Sequence, residues 1–117
     1  MTARQQTIDR YIHGFLSSDH DAILGCLTDD VIWQIHGVRT TRGKTEFDEE
    51  IENPEFAGSP LMNVDRIIES DDVVVLTGTG EGMHRVAGPF RFAYNNMFTF
   101  RGDRICQVES YVVPLAG

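Results

Sequence analysis

The run PFRFAYNNMFTF, residues 89–100, alternates like a strand. Phe90, Phe92, Tyr94, Asn96, Phe98 and Phe100 project to one side, and Arg91, Ala93, Asn95, Met97, Thr99 and Arg101 to the other. One amide in an aromatic row is chemically informative, because burying an unpartnered amide costs on the order of a few kcal/mol. Asn96 therefore either bonds a neighbouring group or faces a cavity that holds water or a ligand. Trp33, the single tryptophan, alternates with Val31 and Ile35. Its ring needs an apolar home and its N–H an acceptor, which suits a pocket wall and a core equally. Tyr11 lies on an apolar helical stripe, where its hydroxyl must find a backbone carbonyl or a functional partner. His36 stands at the end of a strand-like segment beside Gly37, a rim position that suits proton transfer as well as a plain surface histidine. Glu109, with Gln107 and Tyr111 on its face, is the best candidate base if that face looks inward. If it looks outward, it is a solvated or interface residue.

Other chemistries lack their residues. His13, His20, His36 and His84 lie on unrelated elements, with no i, i+4 pair and no His-x-His spacing, so no zinc or iron site is expected. There is no GxSxG, no P-loop and no GxGxxG, which leaves acyl-enzyme and nucleotide chemistry without support. Gly78, Gly80 and Gly82 alternate within a strand-like region and signal a bend rather than a phosphate cradle. Cys26 and Cys106 show no CxxC spacing and read as small buried apolar side chains. The segment from Glu46 to Glu55 holds six carboxylates and reads as a solvated helix face.

The elements that position these residues form two halves. Residues 4–17 carry Ile8, Tyr11, Ile12, Phe15 and Leu16 at helical spacing. A shorter helix through Ala22, Ile23, Cys26 and Leu27 follows, capped by Asp19 or Asp21 and closed by Asp29-Asp30. VIWQI then reads as a strand, and GVRTTRG as a turn-rich stretch. A third helix is expected with Thr45 as cap, Phe47 and Ile51 as its buried pair, and Asn53-Pro54 as its end. The second half, 61–70, 72–80, 83–100 and 104–113, is rich in Val, Ile, Phe and Thr. Gly80-Glu81-Gly82 and Arg101-Gly102-Asp103 look like hairpin connections, and Gly88-Pro89 like a bulge or break. Helices followed by a meander give an α+β fold in one domain, residues 1–117.

A chain of 117 residues with 41% hydrophobic and 24% charged residues is an ordinary globular domain, large enough to fold without disulfides or metal. A net charge of −8 argues against nucleic acid and anionic membrane surfaces as partners. No apolar run approaches a membrane span, and the polar start MTARQQTIDRYIHGF lacks the apolar stretch of a signal peptide, so a cytoplasmic location is expected.

The segments IDRYIHGFLSSDHDAILGCLTDDVIWQIHG, RGKTEF and FTFRGDRICQVESY resemble the SnoaL-like branch of the nuclear transport factor two-like superfamily, which includes ketosteroid isomerases and polyketide cyclases. The resemblance implies a cone: a strongly bent antiparallel sheet wrapped around three N-terminal helices, an apolar pocket, and a homodimer formed through the sheet; no metal or cofactor is expected. Ketosteroid isomerases use a helix tyrosine, an aspartate base on the first strand and a protonated aspartic acid beside the tyrosine. Tyr11 matches the tyrosine and Asn96 the second acid, whereas the base position falls on Ile35, one residue before His36. Steroid isomerisation as that family performs it is therefore disfavoured.

By the same resemblance, Cys106, Val108, Ser110 and Val112 turn inward, and the pocket is lined by Trp33, Phe98 and Val108 with Tyr11, Asn96 and Tyr94 as polar groups. The implied partner is a small hydrophobic, ring-bearing molecule. An enzyme of this kind would move a proton next to a carbonyl, in an isomerisation or cyclisation, with Tyr11 and Asn96 stabilising an enolate and His36 or Glu109 transferring the proton. The absence of an inward carboxylate favours the alternative, a non-catalytic binding or dimeric assembly domain.

Overall fold

The computed structural model describes residues 2–52, 55–58 and 60–116. The Thr2 hydroxyl accepts the Gln5 N–H at 3.1 Å and starts helix α1 (Ala3–Ser17). Ser18, at φ 54, ends it in a left-handed cap. One residue later Asp19 caps α2 (His20–Leu24), accepting the Ala22 N–H at 3.1 Å. The second helix is thus shorter than its apolar residues suggest. Leu27 already belongs to strand β1 (Leu27–Ile35), which takes in Asp29 and Asp30 as exposed strand residues.

Strand β2 (Arg39–Arg42) folds back on β1, where a turn-rich stretch was expected. It leads without a break into α3 (Gly43–Ile51). Thr45 lies inside this helix and does not cap it. The Arg42 N–H is taken instead by the Glu46 carboxylate, from the first turn of the helix, at 3.0 Å. Asn53-Pro54, the expected stop, falls outside the described residues.

The chain then forms a meander of β3 (Leu61–Ser70), β4 (Val73–His84), β5 (Gly88–Arg101) and β6 (Arg104–Leu115). The six strands make one sheet in the order β2-β1-β6-β5-β4-β3. All neighbours are antiparallel except β1 and β6, which run parallel because the crossover through α3 carries the chain to the far edge before it returns. Bulges between Leu27 and Ile32, Val64 and Arg66, and Thr99 and Phe100 help curve this open sheet. The architecture is the α+β cone.

Gly80-Glu81-Gly82 does not turn. It is extended strand within β4, and the connection to β5 comes later, at residues 85–87. There His84 Nδ1 accepts the N–H groups of Val86 (3.1 Å) and Ala87 (3.0 Å), and Gly88, at φ +88, enters β5. Asp103 and its neighbours form the expected β5–β6 hairpin. The helices cover the concave face, where Ile8, Tyr11, Ile23, Phe47, Phe98 and Val108 form a core with the sheet. Cys26 and Cys106 are both free, and Cys26 is buried with its Sγ donating to the Ala22 carbonyl at 3.3 Å.

Candidate functional site

Strand alternation and register sort the concave face into transverse rows, since directly paired residues project to the same side. One row runs Thr41, Trp33, Val108, Phe98, Val74. The next runs Arg39, Ile35, Ser110, Asn96, Leu76. A third runs Val112, Tyr94, Gly78, Val64.

The first row lies under the helices and is the deepest. Trp33 stacks on Phe47 of α3 at 4.6 Å between ring centres and meets Phe15 of α1 edge-on at 6.1 Å. Phe98 meets Tyr11 edge-on at 5.2 Å. The third row lies at the open side: Val112 points to the concave side yet is 52% exposed.

The second row carries the polar groups. Trp33 Nε1 donates to Ser110 Oγ at 2.9 Å, which satisfies the indole and leaves the Ser110 hydroxyl proton free to donate onward. Asn96 is directly opposite Ser110, half-buried, and its side-chain amide makes no hydrogen bond among the described residues. The Tyr11 hydroxyl likewise has no hydrogen-bond partner among them. Burial pushes the Tyr11 pKa well above the phenolic range, so the group stays a neutral donor. The structure thus gathers Tyr11, Trp33, Phe98, Val108 and Asn96 around one face, with Ser110 as an added member.

Tyr94 is on this face too, but its hydroxyl is committed. It crosses β4 above Gly78 and donates to the Asn63 carbonyl of β3 at 2.9 Å. Cys106 does not turn inward as expected: the bulge after Thr99 gives Phe100 as the partner of Ile105, and Ile105 is the buried residue there.

His36 and Glu109 meet each other and not this site. Glu109 pairs with Gln34 of β1 and with Met97 of β5, on the convex side. His36 Nε2 lies 3.6 Å from Glu109 Oε1, and the imidazole stacks on Tyr111 at 4.2 Å. The sheet itself separates both from Tyr11 and Asn96. The inward-facing option for Glu109 is thereby corrected, for the residues that turn inward on β6 are its neighbours Val108 and Ser110.

The acidic segment is largely solvated, with Glu46, Glu49, Glu52 and Glu55 exposed, but two of its contacts stand out. His20 lies between Asp48 Oδ1 (2.5 Å) and Glu52 Oε1 (2.8 Å), and these hydrogen bonds raise its pKa. Glu50 has a side chain only 12% exposed and accepts from Arg39 Nη1 at 3.0 Å. Neither Arg39 nor Glu50 carries a local sequence signal, since they lie 11 residues apart on elements joined only by the fold. Among the described residues, no group of three His, Cys, Asp or Glu side chains is placed to hold a metal ion, and no helix is long and apolar enough to cross a membrane.

The sequence profile described as a SnoaL-like domain matches residues 8–108. No curated protein sequence matches the chain. Among solved structures, a protein of unknown function with the nuclear transport factor two-like fold from Burkholderia pseudomallei superposes with a TM-score of 0.88 at 20% identity, covering 97% of this chain and 92% of that one. TerC, co-crystallised with polyporic acid, superposes with a TM-score of 0.83 at 20% identity, covering 96% and 92%. A Mycobacterium tuberculosis epoxide hydrolase superposes with a TM-score of 0.81 at 15% identity, covering 95% and 83%. At such identities these likenesses establish the fold alone. Helices, open bent sheet and matched profile together place the chain in the SnoaL-like domain family.

Proposed function

We propose that the concave face binds a small, hydrophobic, ring-bearing carbonyl compound, with Tyr11 and Asn96 donating hydrogen bonds to its oxygen. The observation that carries this reading is the pair of unspent donors. Tyr11 is buried and held protonated without a protein acceptor, and Asn96 is half-buried without a partner, on a face otherwise walled by Trp33, Phe47, Phe98 and Val108. Unsatisfied donors beside aromatic walls orient a ligand better than they stabilise an apolar core. Two donors aimed at one carbonyl oxygen also favour its enolate, so the chemistry that suits the site is proton transfer next to the carbonyl. The neighbour crystallised with polyporic acid supports a small-molecule role for this fold.

Titration with steroids, anthraquinones and aliphatic ketones, followed by Trp33 fluorescence, tests the reading. A saturable change with the ring-bearing classes, lost on Tyr11→Phe with Asn96→Leu, is expected. An unchanged response in that double variant would overturn it.

We further propose that the convex face pairs with a second copy. Tyr111, Val113 and Leu115 of β6 and Ile68 of β3 lie on that side and are exposed apolar groups. Light scattering should give a dimer for the wild-type chain and a monomer for Val113→Lys; a monomeric wild type contradicts this.

A further inference from the structure

Proton transfer at the Tyr11–Asn96 site needs a base on the concave side, and neither His36 nor Glu109 is there. Ile35 is paired directly with Arg39 on its same face, and Arg39 holds Glu50. Glu50 comes from α3, which packs on this face through Phe47, three residues earlier, against Trp33. Its side chain is largely withdrawn from water, and only Oε1 is engaged by Arg39; Oε2 has no protein partner among the described residues.

We propose that Glu50 is the carboxylate that exchanges a proton with the bound ligand, and that Arg39 is its positioning residue. This rests on the binding function argued above. The geometry that carries it is the single transverse row Arg39, Ile35, Ser110, Asn96. Its ends are three strand spacings apart, about 14 Å between backbones. Arginine and glutamate reaching in from one end and asparagine from the other bracket a fused-ring ketone. Its carbonyl oxygen meets Tyr11 and Asn96, and a carbon next to the carbonyl is turned towards Glu50.

In the step, Glu50 Oε2 takes a proton from that carbon. The C–H electron pair becomes the enolate double bond, and the carbonyl π pair moves to the oxygen, where the Tyr11 O–H and the Asn96 N–H donate to it. The Glu50 carboxyl exchanges its proton with solvent water and returns a proton to the carbon, so that in deuterated water the carbon gains deuterium. A charged carboxylate is otherwise costly to withdraw from water, and the single bond from Arg39 leaves it one free oxygen with which to act.

The test uses β-tetralone, an aromatic-fused ketone, with the full chain in deuterated water. Binding is followed by Trp33 fluorescence, and exchange of the protons next to the carbonyl by NMR. The wild type should bind and accelerate exchange. Glu50→Gln should bind comparably while exchange falls at least about 100-fold, and Glu50→Asp should retain part of it. Arg39→Gln should lower the exchange rate at saturating ketone with little change in binding, and Arg39→Lys should restore much of the rate. Should Glu50→Gln fold poorly, Glu50→Asp and Arg39→Gln still decide the matter. Binding with undiminished exchange in Glu50→Gln, or binding without exchange in the wild type, overturns the assignment and leaves the binding function standing. Failure of β-tetralone to perturb Trp33 overturns the binding function and the assignment with it.

Discussion

Gly80 of β4 and Phe92 of β5 are cross-strand partners, and the Phe92 ring fills the space where a side chain at position 80 would stand: a Cβ there would lie 2.7 Å from Phe92 Cε2. Gly82 stands in the same relation to Phe90, with a Cβ at 2.6 Å from its Cζ. Gly78, opposite Tyr94, lets the phenol pass over β4 to reach the Asn63 carbonyl. Three glycines on the concave side of one strand are thus matched to three aromatic residues on the next, which lets the rings lie against the sheet where it bends. Gly80→Ala should destabilise by about 1–3 kcal/mol, the usual cost of overpacking. Gly78→Ala should cost more, because its Cβ meets a backbone carbonyl that cannot swing aside as a ring can. Urea denaturation of the two variants checks the order.

Ser110→Ala tests the polar row. Removing the hydroxyl leaves the Trp33 N–H without its acceptor, which should lower stability by about 1–3 kcal/mol. In a Trp33→Phe background the same change should cost little, since no donor remains. Equal costs in both backgrounds, measured by urea denaturation, would show that the bond contributes nothing.

The contact of His20 with Asp48 and Glu52 should make stability depend on pH. Both ring nitrogens face carboxylates, so both bonds need the imidazolium. The folded pKa is raised above the ordinary 6.5, mainly by the hydrogen bond to Glu52 and then that to Asp48. Its contribution is therefore fully present below about pH 6.5 and is lost as pH rises through the raised value. Chemical denaturation across that range should show the wild type losing stability relative to His20→Gln. A constant difference between the two contradicts this.

The α+β class, the first helix and the β5–β6 hairpin were legible because periodicity and a short turn encode them locally. The alternation of Phe90 to Phe100 likewise gave the concave face of β5 directly. What escaped had non-local causes. Gly80-Glu81-Gly82 reads as a turn until the rings paired with it are known, and Arg39 joins a strand only because β1 is beside it. Leu16 keeps the helical spacing of a core residue yet is 47% exposed, because spacing alone does not fix how wide the buried stripe is. At the site, the side chains of β1 and β5 were readable from alternation. The side of β6 on which Glu109 falls depends on the register with both neighbours, and the withdrawal of Glu50 from water depends on how α3 meets β2. No composition or spacing encodes either.

In the proposed function, Asn96 and Tyr11 grip a ligand carbonyl on the concave face. The most direct test of this grip is NMR of the Asn96 side-chain amide during titration with a ring-bearing ketone. We predict a saturable downfield shift of that amide, weakened in Tyr11→Phe, while Glu109 and Tyr111 on the convex face stay unmoved. A saturable shift at Glu109 and Tyr111 with the Asn96 amide unchanged would contradict it.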